Sequence, residues 1–151
     1  PAWSPDGKRI AFIRVSADGR SSLYTISPLG GTERKHLDAP FWGNITWTPD
    51  SKWLMGGRKG KGEPNGVFLY PLEGGEPRRI TSVSDPGTDY GVSLSADGRR
   101  MAFSRCQVRF SCDVFVQELT PDYVAQGRRG SAIPSFTPDQ RCGDWRIRSG
   151  G

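Results

Sequence analysis

Short apolar stretches follow turn-forming residues at intervals along the whole chain. Residues 9–13, 52–55 and 100–104 are continuously apolar or alternate between apolar and polar positions. This pattern is typical of strands that are buried between neighbouring sheets. No run of eighteen apolar residues occurs, so no membrane-spanning helix is expected.

A second strand-like segment returns after each of these strands, and a basic segment follows it in the first two units. Residues 23–26, 67–70 and 113–116 are rich in β-branched and aromatic side chains, which favours a further strand in each unit. Residues 30–37 and 74–81 each begin with a glycine pair and continue as a polar, basic segment. Such a segment predicts an outermost strand that faces solvent.

A six-residue motif sets the period of the chain. It reads Trp-Ser-Pro-Asp-Gly-Lys at 3–8 and returns, with increasing divergence, at 47–52, 94–99 and 136–141. A period of roughly 45 residues is that of one four-stranded propeller blade. The predicted fold is therefore an all-β, incomplete β-propeller of about three four-stranded blades plus the start of a fourth. The predicted units are 1–44, 45–91, 92–133 and a degenerate 134–151.

The residues of the motif have physical roles in a blade. Proline presets φ, aspartate bonds to the local backbone, and glycine accepts positive φ, so the motif forms a tight turn. Its aspartates are therefore interpreted as turn formers without an acid or base role: Asp6, Asp50, Asp97 and Asp139. The large apolar residue that opens each motif is predicted to wedge between blades: Trp3, Trp47, Leu94 and Phe136.

The string Pro-Ala-Trp-Ser-Pro-Asp-Gly-Lys-Arg-Ile-Ala-Phe at 1–12 resembles the TolB-type propeller repeat. The resemblance extends to about residue 127, and 113–127 also resembles the blade ends of bacterial regulators that carry a winged helix upstream. It implies a six- or seven-bladed propeller that binds proteins or peptides, or regulates an attached domain. After Gly127 the expected outer-strand pattern is lost, so an irregular tail is expected.

Composition adds little to this picture. The chain is 34% hydrophobic and 25% charged, as in globular domains, and its net charge is +5. That charge permits weak attraction to polyanions without requiring it, and we do not expect this segment to contact nucleic acid. Since the first residue is Pro1, the rest of the propeller is expected to lie elsewhere in a longer parent chain.

No catalytic constellation is found in the sequence. The Gly-x-Ser-x-Gly elbow of serine hydrolases is absent. The single histidine, His36, lies on a predicted outer strand and is interpreted as a surface residue, so neither a metal nor a cofactor is expected. Two functions stay open: a non-catalytic scaffold for a protein or peptide partner, or the gating propeller of a prolyl-oligopeptidase-like or tricorn-like hydrolase whose catalytic domain lies outside this chain.

Two further features are candidate sites. Residues 56–62 are interpreted as a flexible basic hairpin loop, in which Arg58, Lys59 and Lys61 could contact an anion or a partner. Cys106 and Cys112 flank a five-residue hairpin loop and could form a local disulfide in an oxidising compartment. Cys142 is left over, and the three cysteines lack the spacing of a zinc site.

Overall fold

The computed structural model describes residues 1–58, 65–83, 87–108 and 111–131. These residues form twelve strands in three separate four-stranded sheets, and within each sheet the strands that follow one another in sequence pair antiparallel. The predicted all-β class is confirmed. None of the described residues belongs to a helix that is long and apolar enough to cross a membrane.

Each sheet is a simple meander. The first contains β1 (Ala2–Trp3), β2 (Ile10–Val15), β3 (Ser21–Ile26) and β4 (Arg34–Asp38). The second contains β5 (Phe41–Trp47), β6 (Trp53–Arg58), β7 (Gly66–Pro71) and β8 (Arg78–Arg79). The third contains β9 (Thr88–Leu94), β10 (Arg100–Val108), β11 (Ser111–Leu119) and β12 (Ala125–Ser131). Contacts join β5 to both β1 and β9, so the first strands of the three sheets lie side by side.

The expected loss of the outer strand after Gly127 was wrong. Strand β12 continues to Ser131, which pairs with Phe115 of β11. An outer strand is held by its backbone ladder and needs no apolar alternation of its own. The buried Gln117 side chain adds a hydrogen bond of 2.7 Å to the backbone carbonyl of Gln126. Phe136 and Asp139, and with them the predicted fourth unit, lie outside the described residues.

Two apolar cores hold the sheets together. The first lies between the first and second sheets and includes Ala11, Leu23, Leu54 and Tyr70, all of them fully buried. The second lies between the second and third sheets and includes Met55, Val67, Leu69, Val92, Met101 and Phe103. Alternate residues of β6 and β7 therefore face opposite neighbours, and the second sheet is covered on both faces.

The wedge prediction holds at two of the three described positions. Trp47 is 5% exposed, and its indole Nε1 donates to the carbonyl of Ala2 at 2.9 Å. Leu94 packs against the second core in the same way. Trp3, however, is 62% exposed, because its side of the first sheet is not covered by any described residue. The prediction was wrong for that tryptophan.

The Asp-containing turn is built alike in all three sheets. Ser4 donates its hydroxyl to Asp6 at 2.5 Å, and Asp6 accepts a second bond from the backbone N–H of Lys8 at 3.0 Å. Equivalent pairs join Thr48 to Asp50 and Ser95 to Asp97. These aspartates are turn formers, as the repeat predicts.

Candidate functional site

Each sheet carries an arginine on its second strand that stacks on an aromatic ring of its third strand. The three arginines occupy equivalent positions, two residues beyond the pair that contains the aromatic residue. The guanidinium carbons lie 4.7, 5.2 and 5.3 Å from the ring centroids in the pairs Arg14–Tyr24, Arg58–Phe68 and Arg105–Phe115. Such stacking attracts the cation to the ring face and fixes the guanidinium plane.

In the third sheet this arginine is paired with an acid from the first strand. Arg105 donates from Nε to Oδ1 of Asp89 and from Nη2 to Oδ2, both at 2.6 Å. Asp89 is fully buried, and Arg105 also donates to the carbonyl of Ser82 at 3.1 Å. A second ring, that of Phe103, lies 5.6 Å from the guanidinium carbon. The result is a bidentate ion pair packed against two aromatic rings.

In the first sheet the acid comes instead from Glu33, the residue just before the fourth strand. Arg14 donates to Glu33 at 2.7 Å, and this hydrogen bond lowers the pKa of the Glu33 carboxyl below its usual value. Both side chains are substantially exposed to solvent. The pair is a surface contact, unlike the enclosed pair of the third sheet.

The second sheet keeps the stacked arginine without an acid. Arg58 lies opposite Phe41, whereas Arg105 lies opposite Asp89. Among the described residues no acidic side chain forms an ion pair with Arg58. Its guanidinium is held over the ring of Phe68 and is partly exposed. Arg58 is therefore a preorganised cation at the end of a strand.

The first three residues of the predicted basic loop, 56–58, belong to a strand instead. Gly56, Gly57 and Arg58 belong to strand β6, and both glycines are buried, so the prediction of a flexible loop from residue 56 was wrong. The cause is the close approach of β5, whose Trp42 carbonyl leaves no room for a side chain at Gly57. Lys59 and Lys61 lie outside the described residues.

His36 is only partly exposed and links two sheets, so its interpretation as a plain surface residue was incomplete. Its Nε2 lies 2.8 Å from the Thr25 hydroxyl, and its Nδ1 lies 3.2 Å from the carbonyl of Leu72, which directly follows strand β7 of the second sheet. Since a carbonyl only accepts, the neutral ring with its proton on Nδ1 satisfies both contacts. Burial lowers the pKa of His36, and the charges of Arg34 and Arg9 act in the same direction.

We expect stability to fall as the pH drops below about 6.5, because the folded pKa of His36 is lowered and the unfolded chain then binds a proton that the folded chain resists. One proton limits the slope to about 1.4 kcal/mol per pH unit. Urea unfolding near neutrality and at mildly acidic pH would measure it. His36→Gln should reduce the dependence of stability on pH in this range. The loss of stability at lower pH should remain, because exposed aspartates such as Asp6 and Asp97, whose pKa values are lowered, titrate there. An unchanged slope in the variant would contradict this assignment.

Cys106 and Cys112 lie directly opposite each other on β10 and β11, with Cα atoms 4.0 Å apart, and their sulfurs are joined. The hydroxyl of Tyr90 on the neighbouring strand lies 3.4 Å from the sulfur of Cys106. The strand register places the sulfur bridge beside the hairpin that joins β10 to β11.

We propose that this disulfide forms under oxidising conditions and leaves a single free thiol, that of Cys142. Closing so short a loop should stabilise the fold by about 2 kcal/mol. Thiol titration of the oxidised and reduced chain, together with urea midpoints of both, would measure each expectation. Replacing both cysteines by serine should reproduce the reduced midpoint. Three reactive thiols in the chain after oxidation would refute the pairing.

The described residues contain no group of histidine, cysteine or acidic side chains that could hold a metal ion. Sequence reasoning missed the stacked arginines. A signal was present, since Ala-Phe-Ile-Arg at 11–14 and Ala-Phe-Ser-Arg at 102–105 occupy the same place in two units. The second unit does not show this signal, because its string Met-Gly-Gly-Arg at 55–58 contains no aromatic residue. The aromatic partner of Arg58 lies on the next strand.

Comparison with known proteins agrees with this architecture. No family model matches the chain. TolB from Acinetobacter baumannii superposes with a TM-score of 0.64 at 23% identity over 78% of this chain and 29% of that one. The β-propeller domain of the trilobed protease from Pyrococcus furiosus superposes with a TM-score of 0.57 at 17% identity over 88% of this chain and 42% of that one. The three sheets are β-propeller blades.

Among curated sequences, the chain is similar to the uncharacterized peptidase YuxL of Bacillus subtilis (strain 168). The two are 29% identical over 155 aligned positions, which cover 99% of this chain and 21% of that protein. The chain thus spans about a fifth of the length of this relative.

Proposed function

We propose that this chain is a non-catalytic segment of a β-propeller that binds a protein or peptide partner within a larger bacterial protein. The observation that carries the proposal is how the polar groups are used. The aspartates of the repeat close turns, and His36 contacts groups of two neighbouring blades. Asp89 forms an ion pair with Arg105. Arg58 alone among the stacked arginines has no acidic partner in the described part of the chain.

This proposal is tested by measuring binding and hydrolysis with one chain. The purified chain is titrated against an array of unstructured peptides and, separately, against a panel of chromogenic peptide substrates. We expect saturable binding of a subset of peptides and no release of chromophore above the buffer rate. Chromophore release that a serine-directed inhibitor abolishes would contradict the non-catalytic assignment, and an array with no saturable binder would contradict the binding role.

A second candidate is favoured by the extent of the match to YuxL, which covers nearly the whole chain. In this version the segment belongs to the propeller of a prolyl-oligopeptidase-like or tricorn-like hydrolase and controls access of peptides to a separate catalytic domain. The full reading frame separates the candidates: a downstream Gly-x-Ser-x-Gly elbow supports the hydrolase. An upstream winged helix would instead support a regulator, and peptidase assays of the full-length product would follow.

A further inference from the structure

The three stacked arginines form an internal comparison within one chain. Arg105 and Arg58 share the same strand position, the same direction and an aromatic partner on the neighbouring strand. They differ in the residue opposite them on the first strand of the sheet, which is Asp89 in one case and Phe41 in the other. In the third sheet, therefore, the arginine at this position binds the carboxylate of the residue opposite it, Asp89.

That ligand is a carboxylate held by two parallel hydrogen bonds. Both oxygens of Asp89 accept from Arg105 at 2.6 Å, and the guanidinium carbon lies 5.6 and 5.3 Å from the ring centroids of Phe103 and Phe115. The planar guanidinium matches a carboxylate in this bidentate geometry better than a lysine ammonium does. The stacking fixes the plane in advance, so little side-chain freedom is lost when the acid binds.

The surroundings of Arg58 leave a second polar group unsatisfied. Tyr70 is fully buried, packs on Phe41 with ring centroids 5.0 Å apart, and its hydroxyl has no hydrogen-bond partner among the described residues. Burial raises the pKa of Tyr70 and the Arg58 charge opposes that rise, so the hydroxyl is a neutral donor within the field of the arginine. The guanidinium carbon of Arg79 lies 5.5 Å from the centroid of the same Phe68 ring.

We propose that Arg58 binds a carboxylate of a peptide partner, in the manner in which Arg105 binds Asp89. The ligand is either an aspartate or glutamate side chain or a peptide C-terminus. This inference rests on the proposed binding function and identifies the chemistry that one site would recognise. Arg14, with Glu33, and Arg105, with Asp89, already have their carboxylates inside the chain.

The arginine side-chain Nε–H resonances of the isotope-labelled full chain provide the test, because each reports on its own guanidinium. The probes are Ac-Gly-Asp-Gly-NH2, its Asn counterpart, Ac-Gly-Gly-Gly-OH and inorganic phosphate. We expect the Asp peptide, the peptide with a free C-terminus, or both to shift the Arg58 resonance saturably. The Asn peptide should not shift it, and Arg14 and Arg105 should serve as unshifted internal controls. The two carboxylate probes identify the source of the acid.

Two variants extend the test. Arg58→Gln should weaken carboxylate binding at least about tenfold, and Phe41→Asp should occupy the site from within and abolish the shift. If Phe41→Asp does not fold, the Arg58→Gln variant still tests the proposal. Equal shifts with the Asp and Asn peptides, a shift only with phosphate, or equal shifts at all three arginines would overturn the proposal. Peptides that bind the chain without moving the Arg58 resonance would refute this site while leaving the general binding role intact.

Discussion

Asp89→Asn is expected to lower the free energy of unfolding by about 3 kcal/mol or more, because it leaves the buried guanidinium of Arg105 without its counter-charge. Asp89 is 0% exposed and the Arg105 side chain is 11% exposed, so little water reaches the guanidinium in place of the lost carboxylate. The amide keeps the size of the side chain, and the effect is therefore one of charge and hydrogen bonding. Urea unfolding followed by tryptophan fluorescence measures it.

The chain contains a matched control for this experiment. Glu33→Gln removes the acid from Arg14, which is stacked in the same way but is half exposed. Exposed pairs contribute about 1 kcal/mol or less, so this variant should be close to the parent chain. If Glu33→Gln lowered the free energy of unfolding as much as Asp89→Asn does, stacking geometry rather than burial would determine how much such a pair stabilises the fold.

A double-mutant cycle separates the pair from its surroundings. Replacing both Asp89 and Arg105 by apolar residues should cost less than the sum of the two single changes, since neither partner is then left buried and charged. Strict additivity would mean that the two residues act independently, contrary to the bidentate contact.

The repeat predicted the parts of the fold that depend on local sequence. The turns at Asp6, Asp50 and Asp97 are set by residues two or three places apart, and each strand follows from its own alternation. The wedge at Trp47 also follows from the repeat, because the neighbouring unit that receives it lies within the chain. Trp3 differs only because no described residue covers it.

The candidate site depends instead on register, which the sequence does not show. The first strand of the second sheet contains a bulge between Trp42 and Ile45, and the first strand of the third sheet contains a different irregularity, opposite Ala102–Ser104. Counting back from the Asp-containing turn therefore does not align Phe41 with Asp89. Only the strand pairing shows that the two occupy the same place opposite an arginine.

The bulge that causes this shift also leads to the second large prediction. Gly57→Ala should cost about 3 kcal/mol or more, above the usual range for inserting a methyl group into a packed core. A Cβ at Gly57 would lie 2.3 Å from the Trp42 carbonyl oxygen and 3.3 Å from its carbonyl carbon. Both are backbone atoms of the paired strand, so β5 must move away from β6 to admit the methyl group.

Gly56→Ala is the neighbouring comparison. A Cβ there would lie 2.9 Å from the Cγ2 of Ile45, and its nearest backbone atom, the carbonyl oxygen of Asn44, would be 3.3 Å away rather than 2.3 Å. We expect a smaller loss of stability for it, measured by the same urea titration. Because displacement of β5 also moves Phe41 away from Arg58, Gly57→Ala should further perturb the Arg58 Nε–H resonance, whereas Gly56→Ala should leave it in place. Equal losses of stability for the two variants would contradict this prediction. If, in addition, neither variant moved the Arg58 resonance, the bulge would not fix the position of Phe41.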